Sequence, residues 1–317
     1  EIAQCLVGSE MCIRDRIPIC SSYLRAFGFS KEPLYASILG NIINFCLNAF
    51  FLFVLHKGVA GVATATVISR IINLVIVVLL GAVLVKAKQH PERESNRAVM
   101  GQIIRIGLPS ACETAIYNVS MTLVIRFLNQ MDAQGLNVTA RSYTMQITNF
   151  SYCVGAALAQ ANAIMTGWHI GAKEYDACDR GTKKAAVIGV IVAVILETVF
   201  TLCSGWIMQL FSKDPQMVSL VGKLLAIDIV LEIGRVTNLV YGQALKTSGD
   251  AVFPVVMGAC FMILCSVGGT YLFGIRLGLL AVGAYIGMTG DECVRAVGMY
   301  LRWKSGKWKE KGLVKSR

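Results

Sequence analysis

The sequence predicts an all-α polytopic membrane protein of about eight transmembrane helices. Of its 317 residues, 55% are hydrophobic and 15% are charged, whereas soluble proteins carry about 25% charged residues. Several apolar runs reach the length of about 20 residues that crosses a bilayer as a helix. Lys and Arg are also concentrated in every second connection between these runs. This alternation is typical of membrane proteins, because their cytoplasmic loops carry the excess of Lys and Arg.

Eight segments have the length and hydropathy of membrane spans. Their approximate ranges are 35–55, 59–85, 107–128, 140–165, 184–209, 219–243, 252–273 and 278–301. The 11 Cys residues are scattered without metal-ligand spacing, so we expect no disulfide framework, no metal site and no cofactor.

The basic residues give the orientation of these spans. The rich connections and the tail contain Arg25, Lys31, Lys86, Lys88, Arg93, Arg97, Arg105, Lys173, Arg180, Lys183, Lys184, Lys246, Arg302, Lys304, Lys307, Lys309, Lys311, Lys315 and Arg317. The alternate connections contain little more than Lys57, Lys213 and Arg276. Because the cytoplasmic side carries the excess of Lys and Arg, we expect both ends of the chain in the cytoplasm. The net charge of +11 therefore indicates loops at the bilayer surface and no nucleic-acid partner.

Composition also predicts the domain organisation. Residues 1–16 include CLVGSEMCIRDR, which resembles a translated sequencing adapter, so we exclude them from the fold and expect the natural protein to extend further upstream. Residues 17–85 hold two spans, 86–106 form a polar linker, 107–303 hold six spans, and 304–317 form a basic tail. The polar stretch 166–184 predicts a second long inner loop, either an ordinary connector or partly an amphipathic helix.

Two pairs of similar segments indicate an internal repeat. LRAFGFSKEP (24–33) matches LKTSGDAVFP (245–254) at an offset of 221 residues, and GVAGVATAT (58–66) matches GLLAVGAYI (278–286) at an offset of 220. The offset contains an even number of spans, so both copies have the same orientation in the membrane. The second copy has six spans and the first has two, so we expect about four further spans upstream.

Charged residues inside the apolar spans are the main functional candidates, because a charge at the centre of a membrane helix costs about 2.5–3.5 kcal/mol. In AIDIVLEIGRVTNLV (226–240), Asp228, Glu232 and Arg235 share one helix face. Glu232 is either a binding group for a proton, Na⁺ or a cationic ligand, or one partner of a static bridge to Arg235. We favour the binding group and expect this segment to border a water-filled vestibule.

Other polar residues extend this candidate site. Glu113 either forms part of an inner acidic site or packs next to Asn118 or Arg126. Asp291, Glu292 and Arg295 form a second cluster that is either structural or a relay or gate. We expect the side chain of Glu197 to form a hydrogen bond with a neighbouring helix. Polar and aromatic side chains that could line a cavity are Tyr117, Asn149 and Asn238.

Six motifs, taken in their order and spacing, resemble one known family. They are the pair LRAFG…P and LKTSGD…P, then GVAGVATATVISR, GLPSACE, WHIGAKEYDAC and LEIGRVTNLV before GQALKTSGD. From about residue 18 to the C-terminus they are similar to the MATE (multidrug and toxic compound extrusion) antiporters. The resemblance implies two six-helix lobes, of which this chain carries the last two spans of the first and the whole second.

The resemblance also implies a function. It implies export of organic, often cationic, compounds by a monomer in a bacterial cytoplasmic membrane, driven by inward Na⁺ or H⁺ with alternating access between the lobes. The acidic residue of the family's tenth span is matched in kind by Glu232. Glu113 is a counterpart that is shifted by about one turn.

Two rival functions remain to be weighed. A lipid-linked oligosaccharide or polyisoprenoid flippase has a related architecture, but such clefts carry several Arg residues for phosphate groups, and here carboxylates are at least as prominent. A membrane-embedded enzyme requires a nucleophile–base pair, a motif such as HExxH or a phosphate loop. The sequence has 3 His and none of these motifs, so we expect no catalytic residues.

Overall fold

The computed structural model describes residues 15–86, 96–131 and 135–311, which are almost entirely helical. This confirms the predicted all-α fold class. Among the described residues, four helices are long and apolar enough to cross a membrane, namely Lys31–Val54, Gly58–Val85, Tyr175–Leu202 and Val252–Arg276. The other four predicted spans coincide with helices that are less apolar, so the total of eight stays a prediction.

The chain divides into two compact units, whose described residues are 15–86 for the first and 96–131 and 135–311 for the second. The first unit consists of α1 (15–26), α2 (Lys31–Ala49) with a π-helical turn over Phe50–Val54, and α3 (Gly58–Lys86). Helices α2 and α3 approach closely at Gly40, where an added Cβ would lie 3.0 Å from Nδ2 of Asn73. The small buried core of this unit contains Leu24, Ala36, Val77 and Val85.

The second unit contains the remaining helices. They are α4 (Asn96–Met131), α5 (Leu136–Gly171), α6 (Tyr175–Leu202), the short α7 (Ser204–Gln209), α8 (Pro215–Thr247), α9 (Val252–Phe261) and α10 (Leu280–Lys304). Helix α9 continues in π-helical form through Met262–Val267 and Thr270–Arg276, and a 3-10 turn, Lys307–Lys311, follows α10.

Helix α8 lies at the centre of the second unit and packs against α5, α6 and α10. Two buried apolar clusters surround it, one that includes Leu224 and Leu231 and one that includes Val236 and Leu245. The charged segment from Glu232 to Arg235 lies between the two clusters. The fold therefore places this segment at the middle of the unit.

Local sequence explains both ends of α8. Asp214 accepts a 3.0 Å hydrogen bond from the backbone N–H of Gln216, and Pro215 occupies the first helical position, where its missing N–H costs nothing. After the helix, Gly249 has a left-handed backbone with φ of 92°. The N–H of Asp250 then donates to the carbonyl of Leu245 at 2.9 Å, which satisfies one of the last helical carbonyls.

The first pair of repeated segments has the same turn in both copies. Gly28, which follows α1, has φ of 89°, and the N–H of Phe29 donates to the carbonyl of Leu24 at 3.0 Å. These positions correspond to Gly249, Asp250 and Leu245 at the predicted offset of 221 residues. The sequence match therefore reflects a matching helix ending.

The second pair has a different offset from the one predicted. Left-handed backbone occurs at His56 and Gly58 in the first copy, and at Gly278 and Leu280 in the second. The backbone hydrogen bonds that close the two turns also correspond at an offset of 222, so the offset of 220 is wrong. Each turn has two residues with left-handed backbone. Glycine is the second of them in the first copy (Gly58) and the first of them in the second copy (Gly278). Aligning these two glycines therefore gives an offset that is two residues too small.

The stretch 166–184 is helical except for residues 172–174, so of the two alternatives the ordinary connector is wrong and the partly helical one is nearer. Helix α5 continues to Gly171 and α6 begins at Tyr175, so the connection is a short turn. Charged residues of this stretch lie on the exposed ends of helices, where Lys183 pairs with Asp179 at 2.6 Å. Their polarity reflects exposure at helix ends, which a hydropathy pattern does not distinguish from a loop.

Parts of the predicted domain scheme lie outside the described residues. These are positions 1–14 of the excluded N-terminal segment, 87–95 of the linker and 312–317 of the tail. Asp15 and Arg16 are the first described residues of α1, and α4 begins at Asn96, within the predicted linker. The domain scheme stays a prediction.

Candidate functional site

A cavity of about 410 Å³ lies within the second unit, between α4, α5, α8, α9 and α10. Its size falls in the range of small-molecule sites, about 300–1,000 Å³. Its lining consists of Glu113, Thr114, Tyr117, Asn118, Tyr152, Arg235, Asn238, Leu239, Gly242, Gln243, Lys246, Pro254, Met262, Glu292, Arg295 and Met299. Charged side chains inside an apolar helical unit mark functional sites, so this cavity is the candidate site.

Arg235 of α8 connects the cavity to the buried interior. Its side chain is 19% exposed, and its Nη1 donates a 2.7 Å hydrogen bond to Oε2 of the fully buried Glu232. Its Nε lies 3.9 Å from Oε1 of Glu292, which allows attraction but no hydrogen bond. The guanidinium also stands 5.9 Å from the ring centroid of Tyr152, a cation–π contact.

Glu292 of α10 is held by two neighbours. Its Oε1 lies 2.9 Å from Nη2 of Arg295, and its Oε2 accepts a 3.0 Å hydrogen bond from Asn238. Arg295 also donates two hydrogen bonds to Asp291, at 2.8 and 3.0 Å, and Asp291 accepts a 2.9 Å bond from Ser266. Because these groups satisfy one another, the cluster fixes α10 against α8 and the continuation of α9.

Lys246 and Glu113 form a second charged pair of the cavity. Nζ of Lys246 on α8 donates to Oε2 of Glu113 on α4 at 2.6 Å, and the two side chains are 19% and 18% exposed. Lys246 follows Arg235 by eleven helical positions, so the two Cα atoms are about 16 Å apart along the axis. The cavity therefore has a charged group at each end.

Three buried carboxyl groups lie behind Arg235, between α6 and α8. Glu197 and Glu232 are fully buried and Asp228 is 2% exposed, and Glu197 lies within electrostatic range of both others. Among the described residues, both oxygens of Glu197, Oδ2 of Asp228 and Oε1 of Glu232 have no hydrogen-bond partner. The buried hydroxyl of Ser151 lies within reach of the Glu197 carboxyl group. Buried carboxyl groups are costly to ionise, so protonation would stabilise those members of this cluster that Arg235 does not pair.

The structure separates the predicted site residues into three groups. Those that line the cavity are Glu113, Tyr117, Arg235, Asn238, Glu292 and Arg295. Those that are buried behind it are Asp228, Glu232 and Asp291. Of the three charged residues in 226–240, Arg235 borders the cavity, whereas the two carboxylates meet it through Arg235.

Asn149 forms the third group, because it is exposed on α5 and lies outside this cavity. Its neighbours Ile147 and Thr148 occupy the buried face of α5. Successive residues of a helix point about 100° apart, so Asn149 is turned away from the packed side.

Sequence reasoning missed several features of the site. Lys246 lies on the same face of α8 as Arg235 and Asn238, and this spacing could have placed it in the site. The alternation of basic residues instead assigned it to the cytoplasmic end of the helix. Tyr152 has no such signal, because its position depends on how α5 packs. The interpretation of Glu197 as an interhelical hydrogen-bonding group stays a prediction, and Ser151 on α5 lies within reach of its carboxyl group.

Comparison with known proteins identifies the family. The family model for MatE matches residues 109–272, which is more than half of the chain. The chain belongs to the MatE family. This confirms the resemblance in the sequence motifs, and together with the four apolar helices it establishes an integral membrane protein.

Several MatE relatives are similar over most of the chain. The uncharacterized transporter YisQ of Bacillus subtilis is 33% identical over 315 residues, covering 98% of this chain and 69% of YisQ. Two probable multidrug resistance proteins, YoeA of Bacillus subtilis and NorM of Thermotoga maritima, are 21% and 22% identical, covering 93% of this chain and 65% and 64% of theirs. The chain thus spans about two thirds of the length of these relatives.

Solved structures of other transporters have the same fold. A MATE in complex with MaL6 superposes with a TM-score of 0.85 over 97% of this chain and 70% of its own, at 18% identity. A MOP superfamily transporter from Pyrococcus furiosus superposes with a TM-score of 0.83 over 92% of this chain and 66% of its own, at 19% identity.

Proposed function

We propose that this MatE protein exports small organic molecules, organic cations among them, by secondary-active antiport with Na⁺ or H⁺. Transport proceeds by alternating access between two lobes, which exposes the substrate to each side of a bacterial cytoplasmic membrane in turn. The protein acts as a monomer and uses neither a cofactor nor catalytic residues. Relatives that are named multidrug resistance proteins support the substrate class. The family of transporters to which the chain belongs supports transport over catalysis.

The observation that carries this proposal is the position of Arg235. The same guanidinium contacts Glu232, one member of the buried cluster of Glu197, Asp228 and Glu232, and lines the cavity. In this proposal the buried cluster binds the coupling ion and the cavity binds the substrate. Binding of the coupling ion therefore acts on Arg235, a side chain that also borders the substrate cavity. Such a shared group is what links the binding of two ligands.

Arg235 also supplies the sign of the coupling. A proton or Na⁺ on Glu232 neutralises the carboxylate that holds the guanidinium at 2.7 Å. The positive charge of Arg235 is then no longer balanced by Glu232, and because Arg235 lines the cavity, it repels an organic cation there. Ion binding thus weakens substrate binding, as antiport requires.

The test is Glu232→Gln in the full-length protein, reconstituted in vesicles loaded with a fluorescent organic cation. We expect gradient-driven efflux to fall at least about tenfold, because the amide binds neither ion; each factor of ten corresponds to about 1.4 kcal/mol. Separate Na⁺ and pH gradients identify the coupling ion.

Glu174→Gln is the matched control, since it makes the same chemical change on an exposed turn, where Glu174 pairs with His169. It should leave efflux unchanged. Coupled efflux that survives Glu232→Gln would remove that residue from the mechanism, and absence of any efflux by the wild type would remove the function itself.

A further inference from the structure

We propose that a groove on the surface of the second unit, between α6 and α10, binds an anionic phospholipid. The phosphate of the lipid lies at the basic end of the groove, and an acyl chain runs along α8. This inference goes beyond the proposed export function, because the groove lies on a different side of α8 from the cavity.

The groove follows from how three helices pack. Helices α6 and α10 each pack along α8 but hardly touch each other. On α8, Gly234 approaches the backbone of α10 and Val236 approaches α6. Ile233 and Val230 fall between these two directions, on the side away from Arg235, and they are 37% and 51% exposed. A strip of α8 is thus left open between its two neighbours.

The surface of the groove is apolar. Val187 of α6 and Val297 of α10 are each 58% exposed. On α8, the hydroxyl of Thr237 donates to the carbonyl of Ile233 at 2.8 Å, so it needs no polar partner in the groove. From Thr237 to Val230 the strip runs about 10 Å along the helix. An apolar strip of this length suits an acyl chain.

The basic end of the groove carries polar side chains from both walls. Lys183 of α6 is half exposed, and Tyr300 of α10 lies within its electrostatic range. Lys304 follows Tyr300 by four residues and Val297 by seven, so the three share one face of α10, and Lys304 is exposed. A phosphate at this end would meet two ammonium groups and a hydroxyl, all of which can donate hydrogen bonds.

These side chains are held in place by buried neighbours. Nζ of Lys183 donates to Oδ2 of Asp179 at 2.6 Å, and Oδ1 of the same carboxylate accepts a 2.9 Å hydrogen bond from Trp303 of α10. The ring of Tyr300 packs edge-on against Tyr241, with centroids 5.6 Å apart. An ammonium has three N–H donors, so Lys183 keeps two for a ligand. Groups that are already fixed lose little freedom when they bind.

Charge selects the class of lipid. Asp179 offsets Lys183, so the exposed Lys304 and Lys307 leave an excess of positive charge at this end. Lys307 lies in the 3-10 turn that follows α10, where Trp308 stacks on Trp303 at 4.2 Å. A zwitterionic headgroup brings a cation that this excess repels, whereas phosphatidylglycerol brings only the phosphate charge. The apolar strip in turn favours a lipid over a free phosphate.

The experiment titrates the purified full-length protein in a non-ionic detergent with phosphatidylglycerol or phosphatidylcholine of identical acyl chains. Native mass spectrometry counts the bound lipids. Each basic side chain near an anionic headgroup strengthens binding by about fivefold, so we expect a Kd at least about tenfold lower for phosphatidylglycerol. Glycerol phosphate, the headgroup without chains, should not displace it at equal concentration.

Variants assign the binding to this groove. Lys183→Gln should weaken binding of phosphatidylglycerol by about fivefold, and Ile233→Trp should weaken binding of both lipids by filling the strip. Lys184→Gln is the matched control, because it removes the same charge from the next position of α6, which is exposed and points about 100° away. It should leave both Kd values unchanged.

Each outcome decides the inference. Equal affinity for the two lipids, unchanged binding by Lys183→Gln, or displacement by glycerol phosphate overturns it. A loss in Lys184→Gln as large as in Lys183→Gln also overturns it, because the lipid would then bind to a diffuse basic surface. The comparison of the two lipids on the wild-type protein needs no variant, so it remains decisive even if a variant fails to fold.

Discussion

At the scale of single residues, the contact between α10 and the continuation of α9 depends on glycine. An added Cβ at Gly283 would collide with backbone atoms of Phe273 and Gly274, and one at Gly269 would lie 2.7 Å from Cα of Gly287. Backbone atoms move less easily than the end of a flexible side chain. The absence of side chains here therefore sets how close the two segments come, and with it the position of Glu292 and Arg295.

Gly283→Ala should destabilise the protein by about 1–3 kcal/mol, because it overpacks a contact between two backbones. The measurement is the thermal unfolding midpoint in detergent. Gly290→Ala, on the same helix, is the control, since an added Cβ there meets nothing within 4 Å and alanine favours the helix. Equal midpoints for the two variants would show that the close approach carries no stability.

At the scale of elements, the existence of the long helices could be predicted from apolar length, but the short helices α1 and α7 and the helix ends could not. The turn after α5 and the start of α4 both differ from the predicted loops, because polar residues at exposed helix ends resemble loop residues in sequence. The repeated Gly-Pro endings were predictable, since glycine at a helix end favours left-handed backbone. The π-helical turns had no sequence signal.

Gly249→Ala tests this helix ending. Alanine in left-handed backbone costs about 1–2 kcal/mol, so we expect a lower unfolding midpoint and a smaller loss for Gly249→Asn, because Asn tolerates that conformation better. Gly171→Ala, at the end of α5 with no atom within 4 Å of its added Cβ, should be neutral or slightly stabilising. A neutral Gly249→Ala would refute the assigned turn.

At the scale of the whole molecule, the alternation of Lys and Arg predicts which connections lie in the cytoplasm. In a variant whose 11 Cys are replaced, single cysteines are placed at exposed Lys positions. An impermeant maleimide should label Lys57→Cys and Lys213→Cys on intact cells, and should label Lys173→Cys and Lys307→Cys only after permeabilisation. Labelling of the last two on intact cells would contradict the predicted orientation.

The sequence by itself determined the membrane fold class, the family and most of the charged candidates. These features are local properties of the sequence, namely apolar length, the alternation of charge and a carboxylate such as Glu232 inside an apolar helix. Their free energy in a membrane depends little on how the helices pack. Only the tertiary structure decided that Glu113 and Lys246 pair across helices, that Glu197 lies near Asp228 and Glu232, and that Asn149 lies outside the cavity. These outcomes depend on which helix faces pack together. Packing brings together residues that are far apart in sequence, and their separation in sequence does not predict the contact.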